Sequence, residues 1–143
     1  MSLPILRTTE LACELLASAS LAAASITAMV ATGVDNSDKD TAPLVVCYAE
    51  SATEDFPYSG IYHVATTIVA KEMAADTDVI NTEVSDTVFQ NFLSSSTIPI
   101  LNTYPGYFVY NILVTDTKDS WEGDAHKQEY VLDILCALSG SVY

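Results

Sequence analysis

His63 and His126 carry the imidazoles of this sequence, the groups best suited to exchange a proton near neutral pH. No Ser, Cys or carboxylate pattern beside either one resembles a nucleophile elbow or a zinc-binding helix. A metal centre needs several convergent ligands, and these two histidines lie far apart in the chain. His63 falls inside an apolar alternating segment and reads as a strand-face residue. The cysteines Cys13, Cys47 and Cys136 match no metal or redox spacing and each sits in an apolar segment. They read as buried free thiols in a reducing compartment.

The acidic stretch Asp35 to Asp40 invites a calcium reading, but the register fails. An EF-hand counted from Asp35 would place Lys39 at its fifth position and Asp40 where glycine is required. The five glycines are scattered singly, so no phosphate-cradling loop exists, and no Asn-x-Ser/Thr acceptor is present. Glu54 and Asp55 are adjacent acids, but adjacency alone does not make an acid–base pair. No catalytic residue, metal or cofactor is therefore expected. Recognition has more to work with. Glu54, Asp55, Phe56, Pro57 and Tyr58 form a stretch acidic at one end and aromatic at the other, and the single tryptophan, Trp121, sits in a polar stretch. Both read as loops whose aromatics either tuck under the domain as lids or contact a partner, because aromatics in loops need a partner or a cover.

The chain has 143 residues, half of them hydrophobic, which suits one domain with a core of its own. Nineteen acids oppose five bases, for a formal net charge of −14. Arg7, Lys39, Lys71, Lys118 and Lys127 are dispersed, so gripping nucleic acid or anionic lipid is not expected. Leu15 to Val34 contains no charge and has the length of a membrane span. It is rich in Ala, Ser and Thr, and Glu10 and Glu14 precede it, so neither a span nor a signal peptide is expected.

The elements that must position these residues follow from periodicity. A first helix is predicted over about Thr8 to Ala31, capped by Thr8 or Thr9 and ended by Gly33. Its apolar stripe is Leu11, Leu15, Ala22, Ile26, Met29 and Val30. Leu44 to Ala49 reads as a buried strand, and Glu50 to Ser59 as a loop. Ile61 to Lys71 alternates as a long strand, with Ile61, His63, Ala65, Thr67 and Val69 on one face. These two strands form an antiparallel pair. A second helix spans about Asp78 to Leu93, capped by Asp76 to Asp78. Tyr107 to Thr115 alternates as a third strand, with Phe108, Tyr110, Ile112 and Val114 on one face. Asp116 to Asp124 reads as a polar loop, and Lys127 to Ala137 as the last strand. The expected fold is one α+β domain. Its mixed or antiparallel four-stranded sheet packs against two helices, in the order α-β-β-α-β-β. The long second and fourth strands are expected to outgrow the helices and leave a sheet face open to a neighbour.

This order resembles the phage tail terminator, or tail-completion, family. The resemblance rests on a leading helix, the strand Pro43-Leu44-Val45-Val46-Cys47-Tyr48-Ala49-Glu50 and an acidic loop. It continues through Tyr58-Ser59-Gly60-Ile61-Tyr62-His63-Val64, a helix, a strand, and Glu129-Tyr130-Val131-Leu132-Asp133-Ile134-Leu135-Cys136 at the end. The resemblance implies a structural virion subunit that forms a ring with copies of itself, usually a hexamer. The ring caps the tail tube and meets a head-side connector or adaptor protein, in the virion neck and after assembly in the host cytoplasm. DNA passes through such a ring without specific binding, and a lumen lined by acids such as Asp116 and Asp119 would keep the passage non-adhesive. Another neck or head-completion subunit, an adaptor or stopper, is the alternative, followed by a small ligand-binding or hydrolase domain with a pocket at His63.

Overall fold

A computed structural model describes residues 4–33, 43–73, 83–92, 101, 106–122 and 125–138. The element order is α1 (Pro4–Ala23), β1 (Met29–Thr32), β2 (Leu44–Glu54), β3 (Ile61–Met73), α2 (Glu83–Phe92), β4 (Tyr107–Glu122) and β5 (Ala125–Leu138). The α+β class stands, but the sheet has five strands, ordered β1-β2-β3-β5-β4. β1 runs parallel to β2, and every other neighbour is antiparallel, including the expected β2–β3 pair.

The additional strand comes from a shorter first helix. The Ile26 N–H donates to the Leu21 carbonyl at 2.9 Å and the Ser25 N–H to Ala22 at 3.1 Å, with Ser25 at φ 58°. That pair of bonds across a left-handed residue is a Schellman stop. It ends α1 at Ala23, well before Gly33, and frees Met29–Thr32 to pair with Leu44–Cys47. Thr8 and Thr9 lie inside the helix, not at its cap. The buried stripe is also a different one: Ile5, Thr9, Ala12, Cys13, Leu16, Ala17, Ser20 and Leu21. Small side chains on this stripe let the helix lie close to the sheet, so bulky Leu15 turns outward, 49% exposed. Thr9 and Ser20 satisfy their hydroxyls on the Ile5 and Leu16 carbonyls one turn back.

The core lies between the helices and one sheet face, where Val45, Cys47, Val64, Ile68, Leu132, Ile134 and Cys136 meet α1 and α2. Phe89 of α2 stacks on Tyr130 of β5 with ring centroids 3.8 Å apart. Glu10 accepts the Ala49 N–H at 3.0 Å, beside the break in β2–β3 register between Ala49 and Ser51. Arg7 bridges Glu10 to the Thr32 hydroxyl at 3.3 and 2.7 Å, which ties α1 to β1 and β2. The N-terminus of α2 is held by buried Glu72 of β3, whose carboxylate accepts the Val84 and Ser85 N–H groups at 2.6 and 3.2 Å. A carboxylate there satisfies orphan donors and faces the positive helix end. The expected caps at Asp76 to Asp78 lie outside the described residues, as does the Asp35–Asp40 stretch. On the opposite face, Leu44, Val46 and Val69 form a second small buried cluster at one corner. Among the described residues, no helix is long and apolar enough to cross a membrane.

The loop expected at Asp116 to Asp124 is largely strand. β4 continues to Glu122 and pairs with β5 as far as Glu122↔Ala125. Likewise β2 continues through Glu50 to Glu54. Both extensions are mostly polar and largely uncovered, with Ala52 alone packed against the core, so ladder hydrogen bonds hold them more than burial does. The strands that outgrow the helices are not β3 and β5, as periodicity suggested. It is β4, at the sheet edge, that overhangs, with every residue from Tyr110 to Trp121 exposed except half-buried Ile112.

Candidate functional site

The Glu54 to Tyr58 stretch is the end of β2 and the tip of the β2–β3 hairpin. Asp55 N–H donates to the Ile61 carbonyl at 2.8 Å, and Ser59 N–H to Phe56 at 3.1 Å. The Glu54 carboxylate accepts the Gly60 N–H at 3.3 Å. Closing the turn takes left-handed backbone at Tyr58 (φ 64°) and Gly60 (φ 72°). Glycine adopts that region freely, whereas tyrosine is uncommon there. Tyr58 is fully exposed and Phe56 is 58% exposed. The aromatics are therefore displayed on a hydrogen-bonded tip and do not cover the domain as lids.

Behind the tip, His63 stands on the sheet face away from the helices. Its Nε2 lies 2.7 Å from Asp55 Oδ1 and its Nδ1 3.0 Å from Asp133 Oδ2. The hydrogen bond that His63 donates to Asp55, then that to Asp133, raises its pKa above the ordinary imidazole value, against a smaller opposing desolvation. With a carboxylate on each nitrogen, the ring favours the doubly protonated cation and offers no free lone pair to a substrate. It acts as a clamp that fastens the hairpin tip to β5. The surrounding depression, about 270 Å³, is lined by Ser51, Thr53, Ala65, Thr115 and Val131 as well as His63 and Asp133. It opens broadly to solvent, and Ser51 and Thr53 face a histidine whose nitrogens are both occupied.

Trp121, expected in a loop with the same contact role, lies in β4 at the far end of the sheet. It pairs with His126, whereas the hairpin end is marked by the row Ile61, Ala137 and Phe108. Trp121 tilts against His126 with centroids 5.2 Å apart. His126 is buried, its Nε2 paired with Asp119, and its Nδ1 has no hydrogen-bond partner among the described residues. The structure thus keeps Glu54, Asp55, Phe56, Pro57 and Tyr58 together and places Trp121 apart from them. Asp116 and Asp119 are both exposed but face opposite sides of β4, opposite Val131 and Gln128 of β5. The Asp116 carboxylate accepts the Thr117 N–H at 2.9 Å.

Tyr107 to Thr115 is a strand as expected, but the exposure of its apolar side chains was not expected. Phe108, Tyr110, Leu113 and Val114 are 54, 52, 55 and 39% exposed. Strict alternation put Tyr110, Ile112 and Val114 on the same face as Phe108. The β4–β5 register breaks between Val109 and Asn111, so Tyr107, Val109, Ile112 and Val114 share the helix side instead. The available signal was charge: Tyr107 to Thr115 contains none, in a chain of net charge −14. Compared with known protein families and with curated proteins, the sequence matches none.

Proposed function

We propose that this protein is a structural subunit of a phage neck, similar to a tail terminator. In this reading, copies close into a ring that caps the tail tube and joins it to the head-side connector, and DNA passes through the lumen. The observation that carries the reading is the braced hairpin tip. A fully exposed Tyr58 beside Phe56, on a turn fixed by its own hydrogen bonds, is a pre-organised aromatic anchor for another protein. The His63 clamp supports contact over catalysis, because it uses both ring nitrogens to hold the tip. Asp116 and Asp119, one on each side of the exposed β4 edge, make that edge acidic, and in this reading the edge borders the lumen, where negative charge keeps the DNA backbone from adhering.

The test is a capping assay. Purified protein is added to polymerising tail tube protein, and tube length and tube ends are read by electron microscopy. The expected result is shortened tubes with an extra ring at one end. Phe56→Ala with Tyr58→Ala should weaken that binding while leaving the fold intact. Binding only to a portal or adaptor ring would replace the terminator role with a head-completion one. Binding to neither would sink the neck reading.

A further inference from the structure

We infer that the uncharged half of β4, through the side that carries Phe108, Tyr110 and Leu113, is the surface through which one copy of this chain docks on another. The inference deepens the ring reading and rests on it only for the number of copies. Three observations lead to a second copy as the occupant. The first is charge. At net −14, two copies repel over most orientations, and the cheapest approach is through surface that carries no acid. Tyr107 to Thr115 is such a surface, whereas Asp116, Asp119 and Glu122 load the other half of the same strand.

The second observation is area and order. Phe108 and Tyr110 stack with centroids 6.4 Å apart, so two half-exposed rings are already arranged against each other. With Leu113 on the same side they offer on the order of 300 Å² of side-chain surface. That is somewhat over a third of the ~800 Å² each partner contributes to a standard interface. On the same face, half-buried Ile61, Ala137 and Leu135 extend the patch inward from the strand.

The third observation is how the edge is limited. Register breaks at Val109/Asn111 and Val114/Asp116 flank a short regular stretch, Asn111 to Val114. Bulges twist an edge away from open-ended strand addition. The contact is therefore made by side chains over a short segment, which suits a closed assembly and disfavours a growing sheet. His63 borders the patch and offsets the charge of Asp55 and Asp133 beside it.

The experiment is sedimentation and light scattering of the full chain across micromolar concentrations, in low and high salt. Leu113→Glu is compared with Thr117→Glu, which adds the same charge to the exposed acidic half. Self-association of the unsubstituted chain should strengthen with salt. Leu113→Glu should weaken it about 10-fold or more, in the range of a hot-spot loss. Thr117→Glu should change it less than about 3-fold. Circular dichroism verifies folding, and Tyr110→Ser serves if Leu113→Glu does not fold. A chain that stays monomeric in both salts overturns the inference. Association that Leu113→Glu leaves unchanged also overturns it, while the ring reading survives on another surface. Association lost in Leu113→Glu but ending at a closed pair upholds the surface and removes the ring.

Discussion

β3 and β4 flank the same strand, β5, and each pairs with it along most of its length. Yet from Val64 to Glu72 of β3 only Ala65 escapes full burial, while β4 past Val109 is almost wholly exposed. The two strands differ in position: β3 has a neighbour on each side, whereas β4 is the sheet edge. They differ also in helix coverage. α1 and α2 lie over β2, β3 and β5, and their reach ends at the first residues of β4, where Tyr107 and Val109 are still buried. One strand stabilises the domain, and the other is left available for contact.

Substitutions can break or sharpen this contrast. The largest effect belongs to the covered strand: Ile68→Ala should destabilise the domain by about 2–5 kcal/mol in urea unfolding, through lost burial and a cavity. A value under about 1 kcal/mol would mean that β3 is not the structural centre. Glu72→Ala should follow, at about 1–3 kcal/mol, because two N–H groups of α2 lose their acceptor in a buried site. Tyr107→Phe probes the border, where the Tyr107 hydroxyl donates to Thr9 Oγ1 at 3.0 Å. A loss of about 0.5–1.5 kcal/mol is expected there. On the overhang, Leu113→Ala should alter the stability of the dilute chain by less than about 0.5 kcal/mol.

The smallest effect concerns His63 and depends on pH. Its pKa is raised above 6.5, so the clamp's contribution is fully present below the unfolded value. It is lost as pH rises through the higher folded value. An NMR titration of the His63 ring should show this elevation, and Asp55→Asn should lower the midpoint more than Asp133→Asn. A midpoint at or below the ordinary imidazole value would contradict the clamp geometry.

Much of the covered region was legible in sequence, and little of the uncovered one. Leu44 to Ala49, Ile61 to Lys71 and Lys127 to Ala137 each combine β-branched residues with a burial requirement, and the latter two alternate cleanly. The pattern therefore states their faces. Asp116 to Glu122 lacks such a pattern because no core lies over it, and a polar edge strand reads like a loop. β1 was hidden for a different reason. Ala, Ser and Thr between Ala17 and Thr32 favour neither helix nor strand strongly, and the break at Ser25 comes from a left-handed turn without the usual glycine. The hairpin tip was recognisable from Phe56, Pro57 and Tyr58 alone. The clamp behind it was not, because Asp133 lies 70 residues from His63.

The three thiols have a practical consequence. Cys13, Cys47 and Cys136 belong to α1, β2 and β5, and each has no exposed surface. Burial raises the pKa of all three, which keeps them as unreactive thiols in the folded chain. Because they sit in three elements that meet in one core, an alkylating reagent gains access only when that core opens. Native alkylation rate is thus a built-in stopwatch for global opening, read by mass spectrometry without any engineered label.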